Sequence, residues 1–101
     1  MSTQLVTRAS SWIDDWYVIE YADGGSISDA CVEGTKGEII ALAQAVLAGG
    51  EEYFRRCSVS PTDDGFVFSS PRNSEYSGDE IPRDVAVAWA TATLEQFASG
   101  A

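Results

Sequence analysis

Four adjacent carboxylate pairs, Asp14-Asp15, Glu51-Glu52, Asp63-Asp64 and Asp79-Glu80, are the first residues in this chain whose types could support chemistry. A general acid and base acting on a glycosidic bond must face each other across a cleft. Neighbours on a strand point to opposite faces, so none of these pairs meets that need by itself. A calcium loop requires oxygen ligands alternating over twelve residues, and no stretch supplies them. The pairs therefore read as solvated turn charges. The chain has no His, which removes Ser-His and Cys-His pairs and the usual proton shuttle at neutral pH. No P-loop occurs and no Gly-rich fingerprint joins a strand to a helix; Gly34 and Gly37 are too sparse to cradle phosphate. Cys31 and Cys57 lie in no metal-ligand spacing. Arg55 and Arg56 precede Cys57, but on a strand Arg56 and Cys57 face opposite sides, so an activated thiolate is not expected. Both thiols are expected to be buried as small hydrophobes, with a disulfide left open should their strands prove to be neighbours. The expectation is a protein that is not an enzyme and uses no metal or cofactor.

Charge carries more information. Sixteen Asp and Glu stand against six Lys and Arg, a formal net charge of −10, and Lys36 is the only lysine. Such a field repels nucleic acid and anionic membranes and attracts basic proteins. Met1 to Arg8 lacks the apolar core of a secretory signal, and no run approaches the roughly 18 apolar residues of a membrane span. A cytoplasmic location is expected, in a bacterium or phage to judge by the Lys-poor, Ala-rich composition. The 101 residues suit one domain spanning 1–101, in which 1–12 form an arm or an edge strand.

The elements that would position these groups follow from spacing. Trp16 to Tyr21 is dense in aromatic and β-branched residues and reads as a strand. Asp23-Gly24 suits a type I′ turn, after which Ser26 to Glu33 returns as the partner, with Glu20 opposite Ile27 and Trp16 opposite Cys31. Thr35-Lys36-Gly37-Glu38 forms a capping box opening a helix with an apolar stripe of Ile39, Leu42, Ala43, Val46 and Leu47, ended by Gly49-Gly50. Tyr53 to Ser60 and Gly65 to Ser70 read as a hairpin turned by Pro61 to Gly65, and a loop then runs to Glu80. Pro82 suits the first turn of a closing helix that reaches about Ala98. The expected fold is α+β: a two-layer sandwich with a four-stranded antiparallel sheet and two helices on one face, in the order β-β-α-β-β-α.

Two features exceed what such a core needs. Trp16 and Val18 share one strand face with Glu20, while Tyr17, Ile19 and Tyr21 share the other, yet two helices cover only one face. One aromatic set should thus be exposed, dimerised, or covered by the arm bearing Trp12 and Ile13. On the closing helix, Val87, Ala90, Leu94 and Phe97 form one stripe and Val85, Trp89 and Ala92 a second, so Trp89 is either buried or part of a contact surface. Aromatic anchors rimmed by charge have the composition of an interface. The candidate partner-binding residues are Asp14, Asp15, Trp16, Glu20, Asp63, Asp64 and Trp89.

Glu80-Ile81-Pro82, followed by Ala86, Ala90, Leu94, Phe97 and Gly100, resembles the closing helix of Imm1-type toxin immunity proteins, and the size and acidity are similar to those of anti-CRISPR proteins. The resemblance implies an inhibitor that binds a toxin such as a nuclease or deaminase, or a CRISPR effector, and the acidic field adds that it touches neither nucleic acid nor membrane. The expectation from both lines is an acidic protein that occupies a basic surface on a nucleic-acid-handling protein. The alternative is a homodimeric accessory module that pairs through its own aromatic face.

Overall fold

The computed structural model describes residues 4–23, 32–69 and 80–98, and these form an α+β fold with two helices and two antiparallel sheets. In chain order the elements are β1 (Leu5–Ala9), β2 (Trp16–Tyr21), β3 (Glu33–Thr35), α1 (Lys36–Ala48), β4 (Glu52–Tyr53), β5 (Ser58–Pro61), β6 (Gly65–Ser69), β7 (Glu80–Pro82) and α2 (Arg83–Ala98). One sheet has the order β1-β2-β3 and the other β4-β5-β6-β7. The single four-stranded sheet and the order β-β-α-β-β-α are therefore replaced by two sheets. Within the segment 1–12, expected as an arm or an edge strand, Leu5 to Ala9 forms an edge strand antiparallel to β2, with Leu5 opposite Tyr21 and Ala9 opposite Tyr17.

The capping box forms as the sequence requires. The Thr35 hydroxyl accepts from the Glu38 amide at 3.3 Å, and a Glu38 carboxylate oxygen accepts from the Thr35 amide at 3.0 Å. Gly49 closes α1 in the left-handed region, at φ 72°. Ile39, Leu42, Ala43 and Val46 are buried, but Leu47 at the edge of the stripe is exposed.

The register between β2 and β3 differs from expectation. Trp16 lies opposite Thr35 rather than Cys31, with Tyr17 opposite Gly34 and Val18 opposite Glu33. Of the earlier pairing, Ile27 and Cys31 lie outside the described residues. The tight Asp23-Gly24 turn would have aligned β2 before Val32; instead β3 runs directly into the N-cap of α1, so Thr35 is both the last strand residue and the cap. The expected strand from Tyr53 to Ser60 is also broken. After β4 the chain turns, with the Phe54 amide donating to the Cys57 carbonyl at 2.8 Å, and β5 then pairs with both β4 and β6. Glu80-Ile81-Pro82, read as loop and helix start, forms β7 on the open edge of β6 and leads straight into α2.

The resulting chain repeats one plan. A three-stranded meander feeding a helix occurs as β1-β2-β3-α1 and again as β5-β6-β7-α2. Opposite pairs correspond: Trp16–Thr35, Tyr17–Gly34 and Val18–Glu33 match Gly65–Pro82, Phe66–Ile81 and Val67–Glu80. Burial corresponds as well. Leu5 and Cys57, Thr7 and Val59, Ile19 and Phe68, Ile39 and Ala86, Leu42 and Trp89, Ala43 and Ala90, and Val46 and Thr93 are all buried at matching places. The two helices pack on each other, α1 against β3 and β5, and α2 against β7, β6 and β1. Each half thereby closes the core of the other. Lys36, opening α1, places its ammonium 5.4 Å from the centre of the Phe97 ring in the last turn of α2, so the start of one helix meets the end of the other.

Candidate docking surface

Between β1 and β2 the loop Ser10 to Asp15 is closed by the Ser10 amide donating to the Trp16 carbonyl at 2.8 Å. The Ser10 hydroxyl oxygen accepts from the Trp12 and Ile13 amides at 3.1 and 3.3 Å, a local turn that fixes both residues. Asp15 adopts φ 55°, a left-handed conformation that Asp tolerates better than most residues. The loop thus has a defined path, and it holds its apolar side chains outward: Trp12 is 91% exposed and Ile13 54%. Asp14 and Asp15, two of the expected contact residues, are exposed beside them.

The structure does not gather the other candidates at this place. Asp63 and Asp64 are exposed in the β5–β6 turn, where the Thr62 hydroxyl accepts from the Gly65 amide at 3.0 Å and the Asp64 carbonyl accepts from the Arg83 amide at 3.3 Å. That turn sits at the start of α2, whereas Tyr17, two residues past Asp15, packs edge-on against Phe97 at the end of α2, with 4.9 Å between ring centres. The two acidic pairs are therefore about 20 Å apart along α2 at 1.5 Å per residue. They belong to equivalent loops of the two repeats, not to one face.

Glu20 forms an ion pair with Arg8 across the β1–β2 ladder. Trp16 is half-buried, with the Arg56 guanidinium 4.8 Å from its ring centre. Arg56 also donates to both Glu38 carboxylate oxygens, at 3.3 and 3.5 Å, tying the ring to the capping box. The Trp16 indole N–H is buried and meets no acceptor among the described residues. One face of β2 is accordingly turned to the core, where Ile19 is fully buried between Tyr17 and Tyr21. On the other, Arg56 lies over Trp16 and Arg8 pairs with Glu20, while Trp12 is exposed to solvent.

Trp89 is no surface residue. Its exposure is 1%, its indole N–H donates to the Thr7 hydroxyl at 2.9 Å, and its ring meets Phe68 edge-on at 5.1 Å. Of the second stripe of α2, Trp89 is buried against β1 and β6 and Val85 is half-buried, whereas Ala92 is exposed. Trp12 and Ile13, which the sequence offers as one of three ways to cover the aromatic strand, are exposed instead. The local signal was Ser10, whose hydroxyl can gather the next amides into a turn and so keep the two side chains from folding back.

Cys57 is a free thiol and fully buried; Cys31 lies outside the described residues. Burial first, and then the Glu38 carboxylate, push the Cys57 thiol up to about 12, against a smaller opposing effect of Arg56. A thiolate nucleophile is thereby disfavoured. Among the described residues no three His, Cys, Asp or Glu side chains come together as metal ligands, and no helix is long and apolar enough to cross a membrane. No family model, no curated protein and no solved structure matches this chain.

Proposed function

We propose that this protein is a cytoplasmic inhibitor that docks its β1–β2 loop onto a basic, nucleic-acid-handling protein, in the manner of toxin immunity or anti-CRISPR proteins. The observation that carries the reading is Trp12, 91% exposed on a loop whose backbone is fixed by Ser10 and which continues through Ile13 to the exposed Asp14 and Asp15. A large ring held in water by a preorganised loop is a ready anchor, since little further ordering is needed on binding. Carboxylates beside it substitute for phosphates at Arg and Lys sites, and the net charge of −10 speeds encounter. The same chemistry argues against direct contact with nucleic acid or anionic membrane.

The test is capture from host lysate by the native chain, by Trp12→Ala and by the double variant Asp14→Lys/Asp15→Lys, with light scattering on each purified protein. A basic partner retained by the native chain and lost by both variants is the expected result. Equal retention by all three would remove the loop from the function. A native dimer that dissociates on Trp12→Ala would replace the inhibitor by the self-pairing module.

A further inference from the structure

The two repeats differ at one place that bears on binding. In the second repeat the outer edge of β5 is occupied: β4 pairs with it, Glu52 opposite Val59 and Tyr53 opposite Ser58, and the Phe54 amide donates to the Cys57 carbonyl at 2.8 Å. Phe54 packs against the core, and β4 lies against α1. In the first repeat β1 stands where β5 stands, and among the described residues it pairs with β2 alone.

Register shows which groups this leaves. The Ala22 amide donates to the Gln4 carbonyl and the Ser10 amide to the Trp16 carbonyl, which fixes the even-numbered residues of β1 as those bonded to β2. Leu5, Thr7 and Ala9 therefore turn their backbone groups outward, as Cys57 and Val59 turn theirs toward β4. The Gln96 side-chain amide reaches the Thr7 carbonyl at 3.4 Å, but the Leu5 N–H and carbonyl and the Thr7 N–H point away from β2 and meet no strand among the described residues. Beside them lies an apolar groove of about 270 Å³, lined by Leu5, Val6, Val85, Ala88, Trp89 and Ala92. The matching place on α1 is the one β4 covers.

We infer that the β1 edge and this groove accept one extended segment of a partner protein, which adds antiparallel to β1 and seats an aromatic side chain between β1 and α2. The occupied repeat supplies the pattern: an extended pair of residues opposite Thr7 and Val6, then an aromatic residue level with Leu5. α1 ends at Gly49 and the chain returns as β4, whereas α2 runs on through Gln96 to Ala98. Main-chain bonds give such a contact its affinity and the pocket its selectivity. The net charge of −10 favours a segment whose flanks are basic. The inference is independent of the Trp12 loop, which lies at the far end of β1.

The test uses the full chain and synthetic peptides of Gly50–Arg56, one native, one with Phe54→Ala, and one with Glu51→Lys and Glu52→Lys, followed by amide NMR. Expected are saturating shifts at the Leu5 and Thr7 amides and at Ala88 and Ala92, about tenfold weaker binding of the Phe54→Ala peptide, and tighter binding of the lysine peptide at low salt. Ala88→Arg, at an exposed helix position, should abolish the shifts while the helix persists, and Trp12→Ala should leave them unchanged. Shifts that are absent, or that survive Ala88→Arg, overturn the inference. So do Leu5 and Thr7 amides that exchange as slowly in the free protein as ladder amides, which would mean that the chain covers its own edge. A free dimer that dissociates on Ala88→Arg would assign the groove to a second copy and overturn it equally.

Discussion

The Thr7 hydroxyl stands 2.9 Å from both the Trp89 indole nitrogen and the Thr93 hydroxyl, joining the first strand to the last helix across 82 and 86 positions of sequence. All three side chains are buried, so each bond satisfies a polar group that has no access to water. Thr7→Val keeps the shape and removes the hub, leaving an orphaned indole N–H and an orphaned hydroxyl. The expected loss is about 2–3 kcal/mol of unfolding free energy in urea titrations. Adding Thr93→Val should cost less than the two single losses combined, because the second change deletes one of the orphaned groups.

That hub also shows where reading from sequence stops. The capping box at Thr35 and Glu38 and the left-handed stop at Gly49 are local, each decided within a few residues, and both stand as read. Trp89 was ambiguous because its burial depends on a hydroxyl at Thr7, and nothing near Trp89 in sequence announces it. The turn signal Asp23-Gly24 competed with the N-cap for the register of β2, and the strand that feeds the cap prevailed. β7 is three residues long and holds a proline, too short and too loop-like to stand out until β6 offers it an edge. Of the site, Asp14 and Asp15 were legible as exposed charge. The exposure of Trp12 was not, since a free ring and a covering arm have the same sequence.

Gly65 begins β6 opposite Pro82, and a Cβ there would come within 2.0 Å of the Ile81 carbonyl oxygen. The obstacle is backbone that is itself paired in the sheet, so it cannot swing aside. Gly65→Ala should therefore destabilise the fold by roughly 3 kcal/mol or more, at the upper end of overpacking effects. Gly37→Ala is the contrasting control: no atom lies within 4 Å of the added carbon, and alanine is the better helix former. Thermal unfolding should fall sharply for the first and hold or rise for the second.

With its thiol raised from 9.0 to about 12, Cys57 contributes stability that is fully present below about pH 9 and is lost as pH climbs through 12, because the unfolded chain gives up the proton first. Urea midpoints measured from pH 7 to 11 should fall less steeply for Cys57→Ala than for the native chain. A Cys31→Ser protein, whose single thiol is Cys57, should resist thiol reagents at pH 8 until it unfolds. Rapid labelling of the folded protein would contradict the burial of this group.

For the proposed docking loop, the decisive comparison is between two ways of losing it. Trp12 is exposed and its loop is held through Ser10, so Trp12→Ala should leave the unfolding free energy within about 0.5 kcal/mol of native while reducing partner affinity by about two kcal/mol or more, roughly thirtyfold, as for an aromatic hot spot. Asp14→Asn and Asp15→Asn should act differently, slowing association and flattening its dependence on salt with a smaller change in dissociation. Asp63→Asn and Asp64→Asn, at the other end of α2, should leave both rates near native. Binding kinetics at two ionic strengths separate the three cases, and equal effects at the two acidic pairs would mean that the field of the whole protein, and not this loop, makes the contact.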